Sequence, residues 1–182
     1  ALLRDASLLD LGRAADALRD YASIAETVGE VLAQATSIDV VGRGASLAAA
    51  SELSLMVREG LRTPSSAFET YQYLHGPMEV LSADDVLVLF GDGRETTIPS
   101  SVLDAGVRVV LVTAASADEV PSSDHPGLTI VTVPAGLGHF ERSVVETVIG
   151  QLAIAAAIGH KPYPLEEFLY HQDDTKLPVR AV

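Results

Sequence analysis

The sequence predicts an α/β fold in which helices cover both faces of a parallel sheet. Three observations carry that expectation. Runs such as "DVLVLF" and "VRVVLV" are apolar almost throughout, as strands buried on both faces are. They alternate with stretches of helical periodicity, the pattern of right-handed strand–helix–strand crossovers. Glycines close the runs "SIDVVGRG" and "DVLVLFGDG", where the chain leaves a strand and turns.

Taken in order, residues 8–35 place Leu11, Ala15, Leu18, Ala22, Ala25, Val28 and Leu32 three or four apart, which is an amphipathic helix. "SIDVVGRG" is a short first strand. A helix is expected from Ala45 to Glu59, closed by Gly60. "RTPSSAFET" reads as a second strand and "DVLVLFGDG" as a buried third. "TTIPSSVLDAG" is a short helix stopped by Gly106, and "VRVVLVTA" a fourth strand. Residues 115–127, rich in Ser, Asp, Pro and Gly, read as a loop before the last strand, "LTIVTVP". A helix from Phe140 to Ile158 follows, ended by Gly159. The segment after Pro162 has no periodicity.

Composition bounds the function. The 182 residues suit one domain, and 48% of them are apolar, enough for a substantial core. Acidic residues outnumber basic ones by 25 to 12, for a net charge of −13. Such a charge repels phosphate backbones and anionic lipid, which argues against nucleic-acid and membrane-surface binding. The absence of cysteine excludes disulfides and thiol chemistry and fits a cytoplasmic protein. No basic-then-apolar leader opens the sequence. The stretch Thr147 to Ile158 is too short to span a bilayer and reads as a buried helix.

In a parallel α/β fold, ligands sit outside the carboxyl ends of the strands. Two glycine-bearing loops, "GRGAS" and "GDGRETT", fall there. In the first, Gly42 and Gly44 let a ligand approach the backbone, the next helix offers free N–H groups, and Arg43 and Ser46 add a charge and a hydroxyl. A strand-to-helix turn that only needs glycine explains the same residues. In the second, Thr96 and Thr97 open a helix and either hold a phosphate or serve as N-caps. Asp92 and Glu95 count against a dianion close by, which favours capping. Position 47 is Leu where a dinucleotide fingerprint has its third glycine.

Glu52, Met56 and Glu59 are spaced to share one helix face. That stripe is either a partly solvated helix edge or the wall of a pocket; in a pocket, burial would tune Glu59 for general base work. His75 stands directly before a Gly-Pro turn, on the edge that carries the glycine loops. His125, His139, His160 and His171 fall in loops or at helix ends and lack ligand spacing, so no metal site is expected.

These residues together resemble the sugar isomerase (SIS) domain family, and most closely the second such domain in the isomerase half of amino-sugar phosphate synthases and in related phosphosugar isomerases and deaminases. That family reads Gly-Arg-Gly, then Ala-x-Glu-x-x-Leu-Lys-x-x-Glu, then Ala-(Tyr/Phe), then Glu-x-x-His-Gly-Pro. Here Gly42, Arg43, Gly44, Ala50, Glu52, Leu55, Glu59, Ala67, Phe68, His75, Gly76 and Pro77 fall in register without a gap. The likeness is weaker after residue 90.

The resemblance implies a three-layer, flavodoxin-like fold with a five-stranded parallel sheet flanked by helices. It implies a single SIS domain over 1–162, entered through a linking helix at 8–35. The tail, 163–182, would help complete a site, and the chain would be the C-terminal half of a tandem protein. The implied activity is aldose–ketose isomerisation, or deamination, of a phosphorylated hexose or amino sugar, without cofactor or metal. Glu59 would move a proton between C1 and C2. His75 would assist ring opening, reaching a neighbouring subunit's site in a homodimer. Arg43, Gly44, Ser46, Thr96 and Thr97 would orient the ligand. Three departures stand against this: Met56 replaces the family's catalytic lysine, Gln72 replaces the Glu before His-Gly-Pro, and the tail "DDTKLPVRAV" does not align. The lost lysine favours a second expectation, a module that binds a phosphosugar without turning it over. The alanine-rich helices favour a third, a dimerisation domain without ligand.

Overall fold

The computed structural model describes residues 21–163 continuously, together with Ala15, Leu18, Leu169 and Tyr170. The elements run α1 (Ala22–Ala33), β1 (Ile38–Gly42), α2 (Ser46–Met56), a π-helical turn (Val57–Leu61), β2 (Ser65–Glu69), α3 (Thr70–Leu74), β3 (Val86–Phe90), α4 (Pro99–Val102), β4 (Arg108–Thr113), β5 (Leu128–Thr132) and α5 (His139–Ile158). The five strands form one sheet in the order β2-β1-β3-β4-β5, with every pairing parallel.

Successive side chains of a strand point to opposite faces, and the core divides along that alternation. Ile38, Val40, Val86, Val88, Phe90, Val110, Val112 and Val131 join one cluster with residues of α1, α2 and α5. Val41, Leu87, Leu89, Val109 and Leu111 join the other, with Tyr73, Ile98 and Val102. Each such side chain, fully buried, contributes about 1.5–3 kcal/mol. The two outer layers differ in build: long helices cover the first face, whereas the described residues on the second offer only α3, α4 and short 3₁₀ turns.

Close helix contact has a local cause. A Cβ on Gly29 of α1 would stand 2.7 Å from the Ala156 Cβ and 2.8 Å from the Ala157 nitrogen of α5. Only glycine lets these helices approach so far.

Several boundaries differ from the sequence reading. Gly60 does not end its helix. The chain continues through the π turn, and Arg62 takes the left-handed conformation, with φ +51°. Gly60 lies instead where a side chain would press on Ile154 and Ile158 of α5. Thr96 and Thr97 do not open an α-helix: they close a 3₁₀ turn, Arg94–Thr97, that precedes α4. Besides the Gly-Pro turn, residues 70–80 hold α3 and a 3₁₀ turn at Pro77–Val80, because the Glu69 carboxylate accepts from the Tyr71 and Gln72 amides and caps the helix. Much of the expected helix at 8–35, and most of the tail at 163–182, lie outside the described residues. No described helix is long and apolar enough to cross a membrane.

Candidate functional site

The strand order fixes where a cleft must form. From β1 the chain moves outward to β2, then returns past β1 to β3. The loops after β1 and β3 therefore diverge to opposite faces, the topological switch point at which α/β sheets bind ligands. A cleft of about 490 Å³ lies there. Its walls are Arg43–Ser46 after β1, Phe90–Glu95 after β3, and Gly136, Leu137, His139 and Arg142 around the start of α5.

Two long helices, α2 and α5, thus begin at the cleft. A helix N-terminus carries about half a positive charge and orphan N–H donors, so both favour an anion. Gly44 turns the chain into α2 with φ +60°, and nothing lies within 4 Å of where its side chain would be, so the backbone is open to a ligand. Arg43 is exposed: its guanidinium lies over the Tyr71 ring at 4.5 Å and 3.4 Å from Glu69. Arg94 is also exposed and donates to the Thr97 hydroxyl at 2.7 Å.

The acidic residues that argued against an anion are tied back into the protein. Asp92 accepts from Arg142 at 2.9 and 3.1 Å, from the Thr113 hydroxyl at 3.0 Å and from the Ala114 amide at 2.6 Å. Burial opposes its ionisation, but these donors outweigh it and hold the carboxyl below the usual carboxylate range. Glu95, almost fully buried, accepts from the Thr70 hydroxyl and from the Gly93 amide at 3.2 Å. Gly91 makes room for it: a Cβ there would fall 2.5 Å from Glu95 Oε2, on a backbone with φ +154°.

Behind this wall, Arg142 Nε donates to the carboxylate of Glu146, which has no solvent exposure. Burial pushes the Glu146 carboxyl above its ordinary range, and Arg142 and Ser46 offset this only in part. Asp92, Arg142 and Glu146 join the loop after β3, the end of β4 and α5 into one charged network. Sequence reasoning missed Arg142 and Glu146. Their spacing of four on a helix was visible, but it is equally that of an ordinary surface pair.

The expected site residues separate. Arg43, Gly44 and Ser46 line the cleft. Thr96 and Thr97 do not: their hydroxyls donate to the Gly93 and Arg94 carbonyls of their own turn, at 3.0 and 2.9 Å. His75 is exposed beyond β2, at the C-cap of α3, and Gly76 with φ +146° fixes the turn that follows it. Glu59 is exposed in the π turn, roughly 20 Å along the helix from Ser46 at 1.5 Å per residue. It stands at the opposite edge of the sheet, where Arg58 donates to the Ser65 carbonyl at the start of β2. Within one chain, Glu59 and His75 stand at opposite edges of the sheet, one before β2 and the other beyond it. Met56, the residue in place of lysine, points inward toward Gly150. No described cluster of three or more His, Asp or Glu is arranged to hold a metal ion.

Comparison with known proteins agrees with the fold. A family model described as SIS domain matches residues 31–156. The chain is 28% identical over 102 residues to glutamine–fructose-6-phosphate aminotransferase (isomerizing) of Sulfurisphaera tokodaii, covering 54% of this chain and 17% of that relative. The C-terminal domain of glucosamine-fructose-6-phosphate aminotransferase from Francisella tularensis superimposes with a TM-score of 0.70 at 18% identity, over 82% of this chain and 42% of that one. The NanR protein of Vibrio vulnificus complexed with ManNAc-6P gives 0.64 at 17%, over 88% and 67%.

Proposed function

Since the chain belongs to the SIS domain family, we propose that it binds a phosphorylated hexose or amino sugar in the switch-point cleft, as one half of a phosphosugar isomerase or deaminase. One observation carries this reading: the N-termini of α2 and α5 and the residues Arg43 and Arg94 line a single cleft whose acidic residues are already partnered. The phosphate takes the N–H donors and arginines, and Ser46 and the glycine backbone meet the sugar. The relative complexed with ManNAc-6P supports a sugar phosphate as the ligand class.

The proton transfer belongs to Glu59. Its carboxylate removes a proton from the carbon beside the carbonyl and returns it to the neighbouring carbon, while a proton passes between the two oxygens. His75 supplies the acid for ring opening. The two act across a domain or subunit boundary: a second copy of the fold closes over the Glu59 edge, and the sugar that Glu59 works on is held in the switch-point cleft of that copy. A π-helical turn at Glu59 supports a functional role there, since such turns recur at functional sites. That this chain covers only 42% of the Francisella domain supports a tandem partner.

A sensor that binds without turnover is the second reading. Met56 favours it, because a thioether facing inward neither hydrogen-bonds a sugar hydroxyl nor forms an imine. Incubation with fructose 6-phosphate or glucosamine 6-phosphate in heavy water separates the two. An enzyme incorporates label at C1 or C2, and Glu59→Gln abolishes it. A sensor shows a thermal shift without label. Neither effect, across a panel of hexose phosphates and with any tandem domain present, sinks both.

A further inference from the structure

The π turn that carries Glu59 is held from several sides. Arg58 Nε donates to the Ser65 carbonyl at 2.7 Å, and Gly60 packs against Ile154 and Ile158 of α5. A helix end leaves carbonyls without partners inside the helix. Here the Leu61 carbonyl, last in the turn, accepts from the Thr63 hydroxyl at 3.2 Å and from the phenol of Tyr163. The Arg62 guanidinium lies over the same Tyr163 ring, 4.2 Å from its centroid. Tyr163 belongs to a short strap that follows α5. Lys161 Nζ pins this strap to the Ala33 carbonyl at 2.9 Å, at the end of α1, where a helix favours a cation. Pro162, between the two, fixes its own φ and stiffens the strap.

Resting on the reading of Glu59 as the proton-transfer group, we propose that Tyr163 is a positioning residue: its hydroxyl and ring lock the end of the π turn and so hold the Glu59 carboxylate at the angle at which it meets a sugar in the other copy's cleft. A π turn pairs each carbonyl with an amide five residues on rather than four, and it is uncommon. A residue of an α-helix advances about 100° around the axis at 3.6 residues per turn, so a slip to the α register swings a side chain far from its present direction. A fixed Leu61 carbonyl prevents that slip. Glu59 then stays exposed while Val57, Gly60 and Leu61 stay buried. The sugar itself is held elsewhere, so Tyr163 acts on turnover and leaves affinity alone.

Label incorporation from heavy water into fructose 6-phosphate, with any tandem domain present, tests this. Tyr163→Phe keeps the ring beneath Arg62 and removes only the hydroxyl. It should lower kcat about tenfold, as misplacing a reacting group does, with KM unchanged. Lys161→Met, which unpins the strap from α1, should lower kcat about threefold in the same way, and it decides if Tyr163→Phe does not fold. Amide hydrogen exchange gives a readout besides activity: residues 58–62 should exchange faster in Tyr163→Phe, while Arg43–Ser46 keep their wild-type rates. Wild-type kcat in both variants, or unchanged amide exchange at 58–62, overturns the role of Tyr163 and leaves that of Glu59 standing. A fall in kcat matched by a rise in KM marks damage to the fold at large and overturns it too. No label from wild type on any hexose phosphate overturns the role of Glu59 and this inference together.

Discussion

The two ends of α2 are built for different tasks. At its start, Ser46 sits in a cleft whose walls are held by a charged network that runs from the surface inward: Asp92 is bonded to Arg142, Thr113 and Ala114, and Arg142 to Glu146. At its far end the helix widens into a π turn, Arg62 adopts a left-handed backbone, and Glu59 stands exposed. A binding site gains from walls that do not move, since each fixed donor then meets its ligand without reorganisation. A proton-transfer group that works on a substrate held partly by another domain must remain on the surface until that domain closes. The difference is what the proposed function asks of one chain: its own cleft holds one phosphosugar, and Glu59 serves a sugar held by the copy of the fold that closes over it.

The largest expected effect breaks the far end alone. Glu59→Gln should lower label incorporation by roughly 10²–10⁴-fold, the range of a lost general base. Because Glu59 is exposed, its stability should stay within about 0.5 kcal/mol of wild type. Heavy-water exchange followed by mass spectrometry, with a urea melt on the same sample, reads both.

The near end should respond in the opposite way. Arg142→Leu strands Glu146 as a buried, unpaired carboxyl and should destabilise the fold by about 3 kcal/mol in urea. Gly91→Ala drives a methyl into the Glu95 carboxylate on a strained backbone and should cost about 2 kcal/mol. If both variants melt like wild type, the network does not hold the cleft.

These contrasts were unequally legible in the sequence. Strands such as Val86–Phe90 were plain, because burial on both faces leaves a continuous apolar run. So were the glycine loops, since a strand that turns into a helix at an open edge needs residues without a Cβ. The Arg142–Glu146 pair was not, because burial by neighbouring helices is a tertiary fact that spacing on α5 does not encode. The π turn was hidden for a related reason. Gly60 carries the local signature of a helix stop, but packing against Ile154 and Ile158 overrides it. Likewise the stripe of Glu52, Met56 and Glu59 is regular in sequence, yet Met56 turns inward while Glu59 faces solvent.

The smallest expected effect divides the two carboxyls that share Arg142. Asp92 titrates below its ordinary range when folded, so its contribution is present above about pH 4 and is lost as pH falls through the lowered value. Glu146 titrates above its range, so its contribution is complete below about pH 4 and is lost as pH rises through the raised value. Asp92→Asn should flatten the acid limb of a stability–pH curve, and Glu146→Gln the limb on the higher-pH side. Matching curves for the two variants would mean that the carboxyls are not opposed.

The location of binding is the claim on which the rest stands, and a fructose 6-phosphate titration followed by amide NMR tests it most directly. The largest shift changes should fall on Arg43–Ser46, Gly91–Arg94 and Gly136–Leu137, with residues 57–62 responding less, and only where a second copy of the fold closes over them. Changes centred on the π turn, or none at saturating ligand, would contradict it.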